Sequence, residues 1–429
     1  MKIVVVALGK IGLPLAVQFA DRGHDVVGAD VNATTVEQVS QGKEPFPGEA
    51  HLADKLREVV DAGRLTATTD TAAAVGTAEA VVVVVPLFVN DAGEPDFGWM
   101  DSAVSDVGRG LRPGTLVSFE TTLPVGTTRG RWKPLLESVS GLTEGADFHL
   151  VFSPERVLTG RVFADLRRYP KLVGGLTAEG AKLGVAFYEQ VLEFDERPDL
   201  PRPNGVWDLG SAEAAEMAKL AETTYRDVNI GLANQFAVFS AAHGIDVHQV
   251  IEACNSQSYS HIHQPGIAVG GHCIPVYSRL YLWKDPGATV VSAARAANAA
   301  MPAYSVGLAR GAYGDLTGAR AVVLGAAYRG GVKETAFSGV FPTVETLTAE
   351  GATVSVHDPM FTNDELRALG LDPYELGTPV DVAVLQTDHA EYRSLSSQDL
   401  PAVKVIVDGR HVLDPRAFPE SRFIVVGRA

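Results

Sequence analysis

Cysteine is scarce in this chain, with two among 429 residues, Cys254 and Cys273. Two cysteines do not make a disulfide framework, so a reducing cytoplasm is the expected compartment. Long apolar runs are missing too. The densest, the valines Val81 to Val85, falls far short of the roughly 20 residues that a membrane-spanning helix needs. The N-terminus opens directly into a strand-like segment, MKIVVVALG, without a charged leader and cleavage site, so no targeting segment is expected. Net positive charge is also lacking. Against 52 Asp and Glu stand 36 Lys and Arg, a balance of −16, which argues against a nucleic-acid partner because such a partner requires a basic footprint. One stretch does gather cations: Arg156, Arg161, Arg167, Arg168 and Lys171. It reads either as a solvated loop or as a local anion site able to overrule the global field.

What is present is ample material for a core. Hydrophobic residues make up 46% and charged residues 21%, ordinary for a globular protein, and the length suits two or three domains. Short apolar runs alternate with amphipathic stretches in the first part. Strands are expected at Ile3 to Leu8, Asp25 to Asp30, Val81 to Val85 (stopped by Pro86) and Thr115 to Glu120, with a helix from Leu13 to Arg22 closed by Gly23. Such alternation implies a parallel sheet covered by helices on both faces. Ser211 to Ala242 is alanine-rich and free of proline. Ser211 can cap its start, Glu213 suits the first turn and Gly244 suits the end, giving one long helix or two abutting ones that link domains and offer a dimer contact. Strand signals resume at Ala321 to Leu324, Thr353 to His357, Asp381 to Gln386 and Val403 to Val407. Glu44 to Gly48 and Phe194 to Pro203 read as connectors. The expected fold class is therefore α/β, with two Rossmann-like parallel-sheet domains joined by a long central helix. The expected divisions are residues 1–203, 204–312 and 313–429.

After the first strand comes Ala7-Leu8-Gly9-Lys10-Ile11-Gly12, the G-x-G-x-x-G pattern with Ala7 in the first glycine position. Gly9 lets the backbone approach a pyrophosphate, Gly12 permits close helix–strand packing, and the helix N-terminus offers free N–H groups to an anion. Asp30 ends the second strand eighteen residues beyond Gly12. A carboxylate there accepts hydrogen bonds from a ribose diol and repels a 2′-phosphate, favouring NAD over NADP.

Cys273 lies in Gly270 to Ser278, GGHCIPVYS. A lone cysteine is usually a small buried hydrophobe, and Cys254, at the end of an apolar helix face, fits that description. Cys273 differs because its flanking glycines expose the backbone and leave room for a substrate. A thiolate can attack an aldehyde to give a thiohemiacetal able to lose a second hydride. Residue type alone leaves its role open. Glu216, Lys219 and Thr223 stand at i, i+3 and i+7 of the long helix and share a face. Lys219, if partly buried, could stabilise an oxyanion. Glu155 follows Ser153-Pro154 and could act as a general base, while Thr121 and Thr122 could position water or nicotinamide. No metal site is read from the sequence.

In this order the motifs resemble the UDP-sugar dehydrogenase family, which converts UDP-hexoses to UDP-hexuronic acids. ALGKIGLPLA resembles the family's GLGYVGLPLA-type motif. Glu120-Thr121-Thr122-Leu123-Pro124-Val125-Gly126-Thr127 resembles its E-S-T-x-P-x-G-T. Ser153 to Arg156 matches its S-P-E-x, Ala218 to Asn229 its lysine helix, Gly270 to Pro275 its G-G-x-C-x-P, and Asp408-Gly409-Arg410 its late D-G-R. The wording HCIPV and YRDVN leans toward the UDP-N-acetylhexosamine branch. The resemblance implies an N-terminal NAD-binding domain, a dimerising central helix and a C-terminal UDP-binding domain. It places Leu8, Gly9, Lys10, Ile11, Gly12, Asp30, Val85, Pro86 and Thr122 around NAD. It assigns catalysis to Cys273, Lys219, Glu155, Thr122 and Thr223. Substrate contacts fall to Glu155, Arg156, Val157, Lys219, Gly271, Tyr328, Arg329 and Arg410. The implied chemistry is a two-step, NAD-dependent oxidation at C6 of a UDP-sugar through a Cys273 thiohemiacetal and thioester, in a cytoplasmic homodimer or higher homo-oligomer.

Three positions depart from the pattern. Thr223 stands where the family usually has asparagine, Tyr277 where it has aspartate four residues past the cysteine, and Ala336 where it has arginine; Arg329 replaces a common lysine. Tyr277 cannot serve as a base near neutral pH, since its reference pKa is about 10. Either another group, Glu155 or His272, supplies the base, or the second half-reaction is altered, with release of an aldehyde or use of an unusual sugar. A hydroxyacid-type dehydrogenase of similar layout and a non-enzymatic nucleotide-binding protein complete the alternatives.

Overall fold

The computed structural model describes residues 1–90 and 92–428. They divide into two compact units, Met1–Ala221 and Glu222–Ala429, each built on its own sheet.

In the first unit, strands β1 (Lys2–Val6), β2 (Asp25–Ala29), β3 (Leu65–Thr68) and β4 (Ala80–Val83) are followed by a small hairpin, β5 (Phe88–Val89) and β6 (Pro95–Asp96). Strands β7 (Leu116–Phe119), β8 (His149–Phe152), β9 (Lys171–Gly175) and β10 (Val206–Asp208) complete the set. The eight-stranded sheet runs β10-β9-β8-β7-β4-β1-β2-β3. All its pairings are parallel except β8 with β9. The chain winds outward from β1 through β2 to β3, then returns to lay β4 on the other side of β1. That reversal opens a crevice at the carboxyl ends of β1 and β4, where open α/β sheets bind ligands. Alternation explains the packing: Ile3, Val5, Val26 and Val82 enter one core with Leu13, Val17 and Phe19 of the helix Gly12–Asp21.

The long helix is a single one, Ala212–Ala242, of 31 residues, about 46 Å at 1.5 Å per residue. Ser211 Oγ accepts the Ala214 N–H at 3.1 Å, the expected cap. At the far end Gly244 adopts φ +72°, and the Ile245 N–H reaches back to Ser240 O at 2.9 Å, a closure that favours glycine.

The second unit carries β11 (Arg320–Leu324), β12 (Thr353–His357), β13 (Val382–Leu385), β14 (Val405–Asp408) and β15 (Arg422–Val425). They form an all-parallel sheet in the order β12-β11-β13-β14-β15. The side-chain period of two separates its faces. Ala321, Val323, Val382, Val384, Val405 and Val407 enter one core, whereas Val322, Leu324, Ala383, Leu385 and Ile406 enter another. The strand order again reverses beside the first strand, between β11 and β13. The two-sheet α/β architecture with a long helix is the one the sequence implies.

Candidate active site

The first turn of the first unit is tightly specified. Ala7 sits at φ +76°, a conformation costing a non-glycine residue on the order of 1 kcal/mol. Its N–H is held by Ala29 O at 2.8 Å. A Cβ on Gly12 would lie 1.9 Å from Ala7 O, whereas one on Gly9 would meet nothing within 4 Å. Gly12 is thus a packing glycine, and Gly9 faces open space at the helix N-terminus, which suits an approaching pyrophosphate. Leu8 is buried and packs on Gly28, so its backbone, not its side chain, faces the crevice. Lys10 is exposed and Ile11 half-buried. Asp30 Oδ2 accepts the Leu8 N–H at 2.7 Å and its Oδ1 accepts the Asn32 N–H at 2.8 Å. At the carboxyl end of β4, Val85 is buried and Pro86 exposed, and Thr121 Oγ1 donates to Val85 O at 2.7 Å. An open glycine, a helix N-terminus and a partly accessible carboxylate fit a dinucleotide.

The loop after β7 is pinned from below. Glu216, buried in the first turns of the long helix, accepts N–H groups from Gly126 at 2.5 Å and Thr128 at 2.9 Å, and the Thr128 hydroxyl at 2.7 Å. Burial raises its carboxyl to about 7, against the pull of those donors. Thr122, on the anchored loop, is buried, as are Lys219 and Thr223 on the helix, in keeping with their shared face with Glu216. Glu155 follows β8 and its Oε1 accepts the Arg156 and Val157 N–H groups at 2.6 and 3.2 Å. Three of the five basic residues of the stretch Arg156 to Lys171 are engaged by carboxylates. Arg161 pairs with Asp165, and Arg167 with Glu193 and Asp195. Lys171 is a buried strand residue bridging Glu120 and Glu155. Sequence reasoning missed that bridge and the Glu216 anchor, because both join residues far apart in the chain.

In the second unit, Cys273 is exposed and precedes the helix Ile274–Lys284, with the Tyr277 N–H on Cys273 O at 2.9 Å. Tyr277 therefore stands one helical turn beyond the thiol. Gly271, at φ +92°, donates its N–H to Ala336 O at 2.7 Å, and a Cβ on Gly270 would lie 2.4 Å from Tyr328 Cβ. These glycines let the cysteine loop lie directly on Tyr328. His272 Nε2 is 3.4 Å from Glu334 Oε2. Arg410, at the end of β14, donates to Gln386 O at 2.8 Å and to Ala268 O at 3.3 Å, and its guanidinium lies close over Gly266, where an added Cβ would be 2.6 Å from Nη1. Arg329 is exposed beside the Tyr328 ring. Tyr328, Arg329 and Arg410 thus gather at the carboxyl ends of β11 and β14, with the cysteine loop against Tyr328. Cys254 is half-buried.

Sequence reasoning also missed a device shared by both sheets. Asp358 ends β12 as Asp30 ends β2, and its Oδ2 accepts the Ala326 and Ala327 N–H groups at 2.8 and 2.9 Å and His389 Nε2 at 3.0 Å. Asp358 is 3% exposed and spends its oxygens inside the fold. Asp30 keeps partial access to solvent, so of the two strand-end carboxylates it is the one placed to accept hydrogen bonds from a ribose diol.

Comparison with known proteins agrees with this division. The NAD binding domain of the UDP-glucose/GDP-mannose dehydrogenase family matches residues 1–192, its central domain residues 213–300 and its UDP binding domain residues 322–415. The chain is 34% identical over 426 residues to a UDP-N-acetyl-D-mannosamine dehydrogenase of Pyrococcus horikoshii, covering 96% of each chain. A solved structure of the UDP-D-ManNAc dehydrogenase from that organism superposes with a TM-score of 0.86 at 31% identity, covering 100% of this chain and 99% of that one. An NDP-N-acetyl-D-galactosaminuronic acid dehydrogenase from Methanosarcina mazei Go1 gives 0.85 at 28% identity, covering 100% and 95%.

Proposed function

The chain belongs to the UDP-glucose/GDP-mannose dehydrogenase family and is an NAD-dependent oxidoreductase, and from that premise we propose that it oxidises C6 of a UDP-N-acetylhexosamine to the uronic acid through Cys273. The observation that carries this reading is the exposed thiol at the head of the helix Ile274–Lys284, on a loop whose glycines fit it against Tyr328. The names of the relatives favour an N-acetylated hexosamine such as the manno-configured one. Residues 1–203 would bind NAD, 204–312 dimerise and 313–429 bind the UDP moiety.

Bound NAD supplies the hydride acceptor. The C6 hydroxyl loses its proton to a base, for which Glu155 is the candidate, as the C6–H bond yields its hydride. Thr122 holds the hydroxyl or a water, and Lys219 and Thr223 steady the developing oxyanion. The Cys273 thiolate then adds to the aldehyde carbon. Loss of a second hydride from the thiohemiacetal gives a thioester, and water cleaves it to release the acid and free the thiol. Overall, one alcohol, one water and two NAD⁺ give one carboxylate, two NADH and three protons. Arg156, Val157, Gly271, Tyr328, Arg329 and Arg410 would hold the nucleotide sugar, and the two arginines flanking Tyr328 and ending β14 supply cationic charge suited to a diphosphate.

Tyr225, Leu232, Phe236 and Phe239 are exposed on the long helix and fall within about 60° of one another at 100° per residue. This apolar stripe supports a homodimer through the helix. No helix among the described residues is long and apolar enough to cross a membrane, and a cytoplasmic location completes the proposal.

NADH production across UDP-glucose, UDP-galactose, UDP-GlcNAc, UDP-GalNAc and UDP-ManNAc tests the reading. Two NADH per acid with an N-acetylated sugar is the expected outcome; no NADH with any of the five would refute it. A second reading has one observation in its favour, Tyr277 in place of a carboxylate one turn past Cys273. It expects one NADH per sugar and an aldehyde that hydroxylamine traps.

A further inference from the structure

Two buried carboxylates share a single lysine at the carboxyl end of the first sheet. Lys171 opens β9, and its Nζ lies 2.6 Å from Glu120 Oε2 and 2.8 Å from Glu155 Oε2. Glu120 follows β7, and its other oxygen accepts the Tyr188 hydroxyl at 2.6 Å. That hydroxyl is in turn 2.7 Å from Ser118 Oγ. Tyr188 comes from the helix Ala178–Val191, and the Lys171 ammonium stands 4.9 Å from the centre of its ring. The result is a chain, Ser118–Tyr188–Glu120–Lys171–Glu155. It is graded in access: the Glu120 side chain is 0% exposed, Lys171 4% and Glu155 10%. Glu155 is the accessible end.

Charge counting constrains what this cluster holds. Two carboxylates and one ammonium carry a net negative charge, and burial penalises an uncompensated charge heavily. One further proton makes the cluster neutral. The two carboxylates compete for it on unequal terms. Glu155 receives two backbone N–H groups besides the lysine, and donors of that kind favour the ionised form. Glu120 receives one hydroxyl in the driest position.

We propose that Lys171 is a positioning residue for Glu155, holding that carboxylate ionised and fixed at the accessible end of the cluster while Glu120 carries the shared proton. The inference rests on the reading of Glu155 as the base of the dehydrogenase. The directions of titration agree with the geometry. Burial pushes Glu120 up to about 7 despite Lys171. Glu155 is held below the usual carboxylate range, because the Lys171 charge and hydrogen bond and the Arg156 N–H overcome burial. Lys171 is held above its ordinary value by the two glutamates, against burial. The groups facing Glu155 include Lys171 from β9, Glu120 from the end of β7, and the Arg156 and Val157 amides on its own loop; Tyr188 faces Glu120 from the helix side.

The test uses Lys171→Met, Lys171→Arg and Glu120→Gln in the full-length protein, with two readouts. The first is the pH profile of kcat with whichever UDP-sugar the wild type oxidises. Lys171→Met should move the acidic limb upward by about one pH unit or more, since removing an opposite charge at contact raises a carboxylate by that order. It should lower kcat at neutral pH by roughly tenfold or more, with KM for NAD unchanged. Lys171→Arg should restore the limb. Glu120→Gln should leave the limb in place or lower it, because the ammonium then serves Glu155 alone. A Lys171→Met enzyme whose rate falls evenly at every pH, in step with lost thermal stability, overturns the proposal and leaves a structural ion pair. If that variant does not fold, an acidic limb that rises in Glu120→Gln overturns it equally. The second readout is carbon-13 NMR titration of glutamate carboxyls without substrate, with Glu155→Gln for assignment. It reports the ionisation of Glu155 even if no UDP-sugar in the panel is oxidised, so failure of the dehydrogenase reading and failure of the Lys171 proposal are told apart.

Discussion

The carboxylate of Asp30 accepts the backbone N–H of Leu8 at 2.7 Å, so the residue that ends the second strand also fixes the turn after the first. Its other oxygen accepts the Asn32 N–H at 2.8 Å, which orients the carboxylate. Each carboxylate oxygen has room for two acceptor bonds, and the partly accessible side chain keeps capacity for a ribose diol. Turn geometry and cofactor choice are thus coupled through a single side chain.

Asp30→Asn should therefore cost both NAD affinity and stability, since its amide NH₂ must face either the Leu8 or the Asn32 N–H. It removes charge-assisted hydrogen bonds worth about 1.5–3 kcal/mol, so KM for NAD⁺ should rise roughly tenfold to a hundredfold. The repulsion of a 2′-phosphate also disappears, so the preference for NAD⁺ over NADP⁺ should narrow. Steady-state kinetics with both cofactors checks this. An unchanged KM for NAD⁺ sinks the assignment of Asp30 to the ribose.

Glu216 gives a prediction about stability and pH. Its carboxyl is raised from its ordinary value to about 7 by burial. A raised carboxyl means the folded state binds a proton more tightly than the unfolded chain. Stability is then fully present below the unfolded pKa and is lost as pH climbs through about 7. Chemical denaturation should show a decline from pH 5 to pH 8 to which Glu216 contributes on the order of 3 kcal/mol. Glu216→Gln abolishes this titration but turns an amide NH₂ toward the Gly126 or Thr128 N–H groups. The variant should be less stable than wild type at pH 5 by about 1–3 kcal/mol, and the gap should close toward pH 8. A gap that stays constant with pH would show that Glu216 does not titrate in this window.

The parts of the molecule legible in the sequence are those with a local signature. Val4, Val5 and Val6 in an apolar run, the alanine-rich segment behind Ser211, and Gly9, Gly12 and Asp30 at their spacing all announce themselves within about thirty residues. The glycines beside Cys273 do so as well. Strands without an apolar run escaped: β3 (Leu65–Thr68) and β10 (Val206–Asp208) lack the run that marks the comparably short β4 (Ala80–Val83). Lys171 was read among the basic residues of a loop because charge alone cannot reveal burial. Its partner Glu120 lies 51 residues away, and nothing local marks the pair. The Asp358–His389 contact spans 31 residues and was hidden for the same reason.

Cys273→Ala separates capture of the aldehyde from its formation. Without the thiol no thiohemiacetal forms, so acid production should fall by roughly a thousandfold or more, while the first oxidation survives. The reaction should then yield one NADH per sugar and an aldehyde that hydroxylamine traps for mass spectrometry. The side chain is exposed, so the melting temperature should hold within about 2 °C. Acid formed at the wild-type rate would remove Cys273 from the mechanism.

Gly9 and Gly12 differ in what an added methyl group would meet, and this yields paired predictions. In Gly12→Ala the new Cβ would sit 1.9 Å from Ala7 O. Neither atom can rotate away, and Ala7 already holds φ +76°, so the turn must rebuild. That should cost more than about 3 kcal/mol and appear as a large drop in melting temperature without any ligand. In Gly9→Ala the Cβ points into space with no protein atom within 4 Å, so the apo protein should melt as the wild type does. Any penalty must then come from what occupies that space. KM for NAD⁺ should rise roughly tenfold or more as the backbone is pushed off the pyrophosphate, while UDP-sugar affinity by calorimetry stays put. A Gly9→Ala enzyme with wild-type NAD⁺ kinetics would mean that the cofactor lies elsewhere and that the opening above Gly9 serves no ligand.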